Sequence, residues 1–186
     1  MKFDLYSASD APEASRSTLE SVEKAYGFVP NLFRVFAASP AALEAYVALD
    51  KALQKSGLDP IEQQVVVLAV SAENGCGYCM AAHSSVATRA KMPAEVLDAL
   101  RRGGRLPEAR HEALRAFALS VIGHRGWVPE AELEAFLRAG FERRHVLDVL
   151  TIIAMKTLSN YTNHLAGTPL DSAFVANEWH GKSEAA

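Results

Sequence analysis

Cys76, Cys79 and His83 are the residues of this sequence best suited to chemistry. Both cysteines of the chain and one of its six histidines fall within eight residues. On a helix, positions three and four apart share a face, so the two thiols and the imidazole would stand in one row. A cysteine reacts as its thiolate, so the question is what removes its proton. His83 is one turn from Cys79 but two turns, about 10 Å of rise, from Cys76. A histidine base therefore assigns Cys79 as the attacking thiol and Cys76 as the resolving one. Asn74 or Gly75 can cap the helix, which would bring unpaired N–H groups and the positive end of its dipole near both thiols.

Such a pair supports peroxide reduction. Thiolate attack on the O–O bond gives a sulfenic acid, the second thiol condenses it to a disulfide, and an outside dithiol must then reduce that disulfide. Two other readings compete: a pair of thiols buried as core residues, and a zinc site. The zinc site needs a fourth ligand, and the sequence has no second C-x-x-C and no H-x-x-x-H to supply it.

The elements that must position this row are helical. Leu19, Val22 and Tyr26 recur at helical spacing over residues 12–26, with Gly27 as a stop and Asn31 capping a short helix over 32–38. Ser39-Pro40 opens a helix running to Gly57. Asp59-Pro60-Ile61-Glu62 combines an N-cap, a first-turn proline and a capping-box carboxylate. The helix it opens is apolar almost all round from Val65 to Val70, which predicts burial. Asn74-Gly75 ends it, and the cysteine helix follows over 76–91. Further helices are expected over 93–102, 108–123, 130–139 and 143–165, the last with Val146, Val149, Leu150, Ile153 and Leu158 on its apolar side.

No segment alternates as a strand, so the fold class is all-α, a bundle of about eight or nine helices. Residues 1–186 read as a single domain, with an N-terminal arm over 1–11 and a flexible tail over 181–186. His111, His124, His145 and His180 stand in polar surroundings and are expected to be solvated, as is the Arg101-Arg102-Arg105 face. Trp127 and Trp179 are expected to pack. His164, with Asn160 and Asn163, forms a polar cluster that capping and a site explain equally well.

At 186 residues with net charge −3, the chain has no basic footprint for nucleic acid. Its longest apolar run is far too short to cross a bilayer, and nothing near Lys2 resembles a signal peptide. The expectation is a cytoplasmic protein with neither nucleic-acid nor membrane partner. In that compartment a C-x-x-C pair suits transient, catalytic disulfide chemistry.

Cys76-x-x-Cys79-x-x-x-His83, preceded by Asn74-Gly75 and the valine-rich helix, resembles the alkylhydroperoxidase D-like (AhpD-like) family of the carboxymuconolactone decarboxylase superfamily. Gly27-Phe28-Val29-Pro30-Asn31-Leu32-Phe33-Arg34 and Ser39-Pro40 are similar to its N-terminal pattern. Asn160-Tyr161-Thr162-Asn163-His164 and Thr168-Pro169-Leu170-Asp171 resemble a peroxidase-related subgroup. The resemblance implies a helical fold assembled as homotrimers or homohexamers, with the cysteines near subunit contacts. It also implies (alkyl)hydroperoxidase or disulfide-reductase activity with no metal, haem or other cofactor, a peroxide substrate, and a dithiol protein or small thiol as electron donor.

One position departs from the family. Its relay glutamate, twelve residues before the first cysteine, is here Gln64, which can orient His83 but cannot take a proton. Glu62, Glu73 or a neighbouring subunit would have to supply the carboxylate. The site set expected from sequence is thus Cys79, Cys76, His83, Gln64 and Glu73. The rival functions are a carboxymuconolactone decarboxylase-type lyase and a non-enzymatic, redox-sensing helical oligomer.

Overall fold

The computed structural model describes residues 3–181, which form nine α-helices and one 3-10 helix with no strand among them. The tail expected over 181–186 lies, Gly181 apart, outside the described residues. The helices are α1 Glu13–Tyr26, α2 Asn31–Phe36, α3 Pro40–Leu53, α4 Pro60–Glu73, α5 Gly77–Arg89, α6 Ala94–Arg102, α7 Ala109–Gly123, α8 Glu130–Arg138 and α9 Arg143–Ala166. The 3-10 helix Ser172–Asn177 was not foreseen from sequence.

Start signals in the sequence place the helices well. Asp59 accepts from the Ile61 and Glu62 N–H groups while Glu62 reaches back to the Asp59 N–H, the reciprocal capping box. Ser39 accepts from the Ala42 N–H at the start of α3. That helix ends at Leu53, short of the expected Gly57. Asn31 is the first residue of α2 rather than its cap. The Asp171 carboxylate takes the Asn31 N–H instead, from 140 residues away.

Helix α4 is the centre of the bundle. Val65, Val66, Leu68 and Val70 are fully buried, and α4 packs against α5, α6, α7 and α9. α3 lies on α9, α1 on α3, and the 3-10 helix on α5. Residues 5 and 6 of the arm dock on α2, where the Arg34 guanidinium donates to both carbonyls and the Tyr6 N–H bonds the Arg34 carbonyl.

Several side-chain expectations are corrected. His145 is buried, its Nδ1 accepting the Glu142 N–H at 2.8 Å while its ring meets Phe141 edge-on. Trp127 is 88% exposed and packs on little. Arg101 is not simply solvated: it donates to Ser84 Oγ and to the Asn177 and Glu178 carbonyls, tying α6 to the segment after the 3-10 helix.

Of the expected apolar side of α9, Val149 is buried and Val146, Ile153 and Leu158 pack against the core. Leu150 is exposed, and the fully buried face is centred further round the helix. Val149, Ile152, Lys156, Ser159, Asn160 and Asn163 point inward. Leu147, Leu150, Tyr161 and Leu165 form an exposed stripe on the opposite side.

Candidate active site

The turn between α4 and α5 sets the position of the cysteines. Gly75 has φ +67°, a left-handed conformation that strains any residue with a Cβ. It reverses the chain so that the Cys76 N–H bonds the Ser71 carbonyl at 2.9 Å. Cys76 is itself the N-cap of α5, and its carbonyl accepts the Met80 N–H. Neither Asn74 nor Gly75 caps this helix; Asn74 donates to Asn160 Oδ1 at 2.9 Å. Cys79 is consequently the third helical residue, within the first turn where backbone N–H groups lack helical partners. Both thiols are free and buried.

Helix α9 faces them with a polar stripe. Lys156, Ser159, Asn160 and Asn163 recur at spacings of three and four, and all are buried. Asn163 Nδ2 lies 3.3 Å from Cys79 Sγ and 3.8 Å from Cys76 Sγ. Ser159 Oγ lies 3.9 Å from Cys79 Sγ. Lys156 Nζ lies 3.1 Å from His83 Nε2, and its charge acts on the Cys79 thiol.

These contacts divide the thiols. Burial alone would raise the Cys79 thiol, but the hydrogen bond from Cys76, the Lys156 charge and the polar contact with Ser159 outweigh it. They hold Cys79 well below the ordinary thiol value. Cys76, which gives its hydrogen bond to Cys79 and is itself buried, is pushed up. The balance favours a thiolate at Cys79 rather than at Cys76.

His83 is reached differently from the sequence expectation. Its two ring nitrogens bond Lys156 and Gln64 Oε1, the latter at 3.0 Å. An ammonium can only donate, so Nε2 accepts from Lys156 and the Nδ1–H donates to Gln64. Burial, and then the Lys156 charge, keep the imidazole neutral by lowering its pKa well below the ordinary value. The direct Cys79–His83 contact expected from one turn of helix is replaced by a contact through Lys156.

The proposed carboxylates are placed elsewhere. Glu73 is exposed and lines a surface crevice with Leu100 and Arg115. Glu62 caps α4 and pairs with Arg110 at 2.7 Å. A carboxylate that does share cavities with His83 is Asp50 of α3. Asp50 and His83 together line both a cavity of about 380 Å³ and a smaller one of about 150 Å³ on the Gln64 side. Burial raises the Asp50 pKa and the Lys156 charge opposes that rise.

The larger cavity reaches Cys79 and is walled by Tyr26, Phe28, Phe33, Tyr46 and Phe174. Tyr78, also in the wall, donates to Asp171 Oδ2 at 2.6 Å and accepts the Leu32 N–H at 3.3 Å. Asn31 Nδ2 reaches the Pro169 carbonyl. The motif segments around Asn31 and Asp171 thus close one end of the cavity together. Asn160 and Asn163 belong to the cluster behind the cysteines, whereas His164 is exposed and stacks on Tyr161. Among the described residues no group of three or more His, Cys, Asp or Glu side chains is placed to hold a metal ion.

Sequence reasoning missed Lys156, Ser159 and Asp50. The available signal for the first two was register: a lysine and a serine continuing the inward row of Val149 and Ile152.

Residues 40–121, from α3 to the end of α7, match the carboxymuconolactone decarboxylase family. Alkyl hydroperoxide reductase AhpD of Brucella abortus (strain 2308) is 38% identical over 64 residues, which span 34% of this chain and only 37% of that protein. The AhpD core of a peroxidase-related protein from Ralstonia eutropha JMP134 superposes with a TM-score of 0.82 at 29% identity, over 93% of both chains. The debrominase Bmp8 has the same fold, with a TM-score of 0.74 over 91% of both chains, at 20% identity.

Proposed function

Because the chain is an AhpD-like member of the carboxymuconolactone decarboxylase superfamily, we propose that it is a thiol-dependent hydroperoxidase acting as one catalytic domain. Cys79 is the attacking thiolate and Cys76 the resolving thiol. The observation that carries this reading is Cys79 Sγ, set at a cavity with aromatic walls with the Asn163 amide donating to it, the Ser159 hydroxyl beside it and the Lys156 charge acting on it. A thiolate so placed is nucleophilic without any base having to act first.

The reaction runs in three stages. Cys79 attacks the terminal oxygen of the peroxide, gaining a sulfenic acid as the alcohol leaves. The Cys76 thiol displaces water from that sulfenic acid, forming the Cys76–Cys79 disulfide. A dithiol donor then reduces the disulfide by exchange. The apolar cavity favours an organic hydroperoxide over hydrogen peroxide. Gln64 orients His83, and His83 in turn positions Lys156.

A C-x-x-C pair whose disulfide forms only during turnover suits the cytoplasm. The exposed Leu147, Leu150, Tyr161 and Leu165 stripe on α9 supports assembly as a homotrimer or homohexamer. No described helix is long and apolar enough to cross a membrane.

The test is consumption of cumene hydroperoxide with dithiothreitol as donor. Wild type should turn over, Cys79→Ser should be inactive, and Cys76→Ser, given peroxide without dithiothreitol, should react once and stall as the sulfenic acid. Equal turnover by wild type and Cys79→Ser would refute the mechanism. A change in oligomer size on oxidation without turnover would favour the redox-sensing reading.

A further inference from the structure

Lys156 stands out among the buried groups of this chain. It is fully buried on α9, where an ammonium is costly unless opposite charge or good acceptors surround it. No ion pair joins it to a carboxylate among the described residues. Its hydrogen-bond partner is a neutral imidazole at 3.1 Å. Ser159 and Asn163, on the same face of α9, reach the Cys79 sulfur at 3.9 and 3.3 Å. The charged or titratable groups facing it are Cys76, Cys79 and His83 from α5 and the start of that helix, and Asp50 from α3. Asp50 acts on it at longer range, and α4 presents the uncharged Gln64 beside His83. The anion that compensates Lys156 is the Cys79 thiolate, which its charge favours.

That pairing has a chemical consequence. When the thiolate attacks a peroxide, its negative charge passes to the departing alkoxide, a strong base formed in an apolar cavity. The nearest proton on a group whose own counter-charge has just vanished is on Lys156.

We propose that Lys156 is a catalytic residue, holding Cys79 as the thiolate and then protonating the alkoxide released when the O–O bond breaks. The proposal rests on the hydroperoxidase reading. In the first step Cys79–S⁻, ROOH and Lys156–NH₃⁺ become Cys79–SOH, ROH and Lys156–NH₂. The S–O bond forms as the O–O bond breaks, sulfur is oxidised and peroxide reduced. Next, Cys76–SH and Cys79–SOH give the disulfide and water. Finally a dithiol reduces the disulfide to two thiols and becomes a disulfide itself. The Cys79 proton then returns to Lys156, restoring the starting pair. His83 Nε2 accepts from the ammonium and keeps it aimed at the sulfur, a positioning role.

The test uses Lys156→Met and Lys156→Gln, each alone and with Cys76→Ser, and with circular dichroism to confirm the fold. The first arm follows iodoacetamide alkylation of Cys79 against pH in the Cys76→Ser background and needs no peroxidase activity. Loss of Lys156 should move the midpoint up by at least one pH unit. The second arm measures single-turnover oxidation above that midpoint, where Cys79 is a thiolate in every variant. There the variants should remain at least tenfold slow with tert-butyl hydroperoxide, which leaves as a basic alkoxide. They should approach wild type with a peroxycarboxylic acid, whose carboxylate leaves without needing a proton. An unchanged alkylation midpoint in a folded variant overturns the thiolate role. Equal deficits with both oxidants overturn the proton-donor role. A wild type inert to every peroxide but with a Lys156-dependent midpoint would sink the hydroperoxidase reading, and the proton donation with it, leaving the ion pair standing. Should Lys156→Met not fold, Lys156→Gln and Lys156→Arg carry both arms, with arginine expected to keep the low midpoint but donate poorly.

Discussion

Lys156 Nζ and His83 Nε2 meet at 3.1 Å, and that contact fixes which nitrogen of the imidazole carries the proton. With Nε2 accepting, the Nδ1–H must face Gln64, and the ring stays neutral beside a cation. An imidazolium in the same place would set two positive charges against each other. The glutamine at this position is consistent with that arrangement, since its amide accepts from Nδ1–H without adding a charge.

Folding stability should therefore carry a His83 signature in acid. The folded pKa is lowered, so below the unfolded value of about 6.5 the unfolded chain binds a proton that the folded chain does not. Stability then falls as pH drops through 6.5, by at most about 1.4 kcal/mol per pH unit from this group. His83→Gln should flatten that part of the profile. Urea titrations between pH 7.5 and 5 would read the difference, and parallel profiles would contradict the neutral, buried imidazole.

Gln64→Glu should act in the opposite sense. A carboxylate on the Nδ1–H favours the imidazolium, so the His83 pKa should rise by about one to three units. Imidazole proton shifts followed by NMR against pH would show it. A His83 titration that did not move would mean that Gln64 does not hold the ring.

The sequence carried most of the fold because its start signals are local. Asp59 with Glu62, and Ser39 with Pro40, specify helix starts through bonds three residues long. The row of Cys76, Cys79 and His83 was legible for the same reason. What lay beyond reach was tertiary. Asp171 caps α2 from 140 residues away, and Asp50 enters the lining of the cavity shared with His83 from a separate helix. The face of α9 was misjudged in part because apolar count misleads where a site is buried: Leu150 lies outside while Lys156 and Asn160 lie inside. A fully buried lysine breaks the usual pattern, and functional sites are where such breaks are expected.

The Tyr78 hydroxyl joins two segments that each need it. Tyr78→Phe would take a donor from Asp171 and an acceptor from the buried Leu32 N–H, while Asn31 would still hold the carboxylate. Leaving such groups unpaired costs about 1–3 kcal/mol. A urea titration should show that loss, and a melt identical to wild type would show that water replaces the hydroxyl.

Asn163 should separate reactivity from stability most sharply. Its amide nitrogen faces both sulfurs, while its buried Oδ1 has no hydrogen-bond partner. In Asn163→Leu the thiolate loses a charge-assisted hydrogen bond, worth about 1.5–3 kcal/mol. The alkylation midpoint of Cys79 should therefore rise by about one to two pH units. An orphan acceptor is removed at the same time, and leucine has nearly the same shape. In the disulfide form, where there is no thiolate to solvate, the variant should thus melt at or above the wild-type temperature. Thermal melts of both redox forms, set beside the alkylation profile, give the two signs independently. A variant less stable when oxidised would mean that Oδ1 is satisfied by bound water, and an unmoved midpoint would leave the thiolate to Lys156 and Ser159.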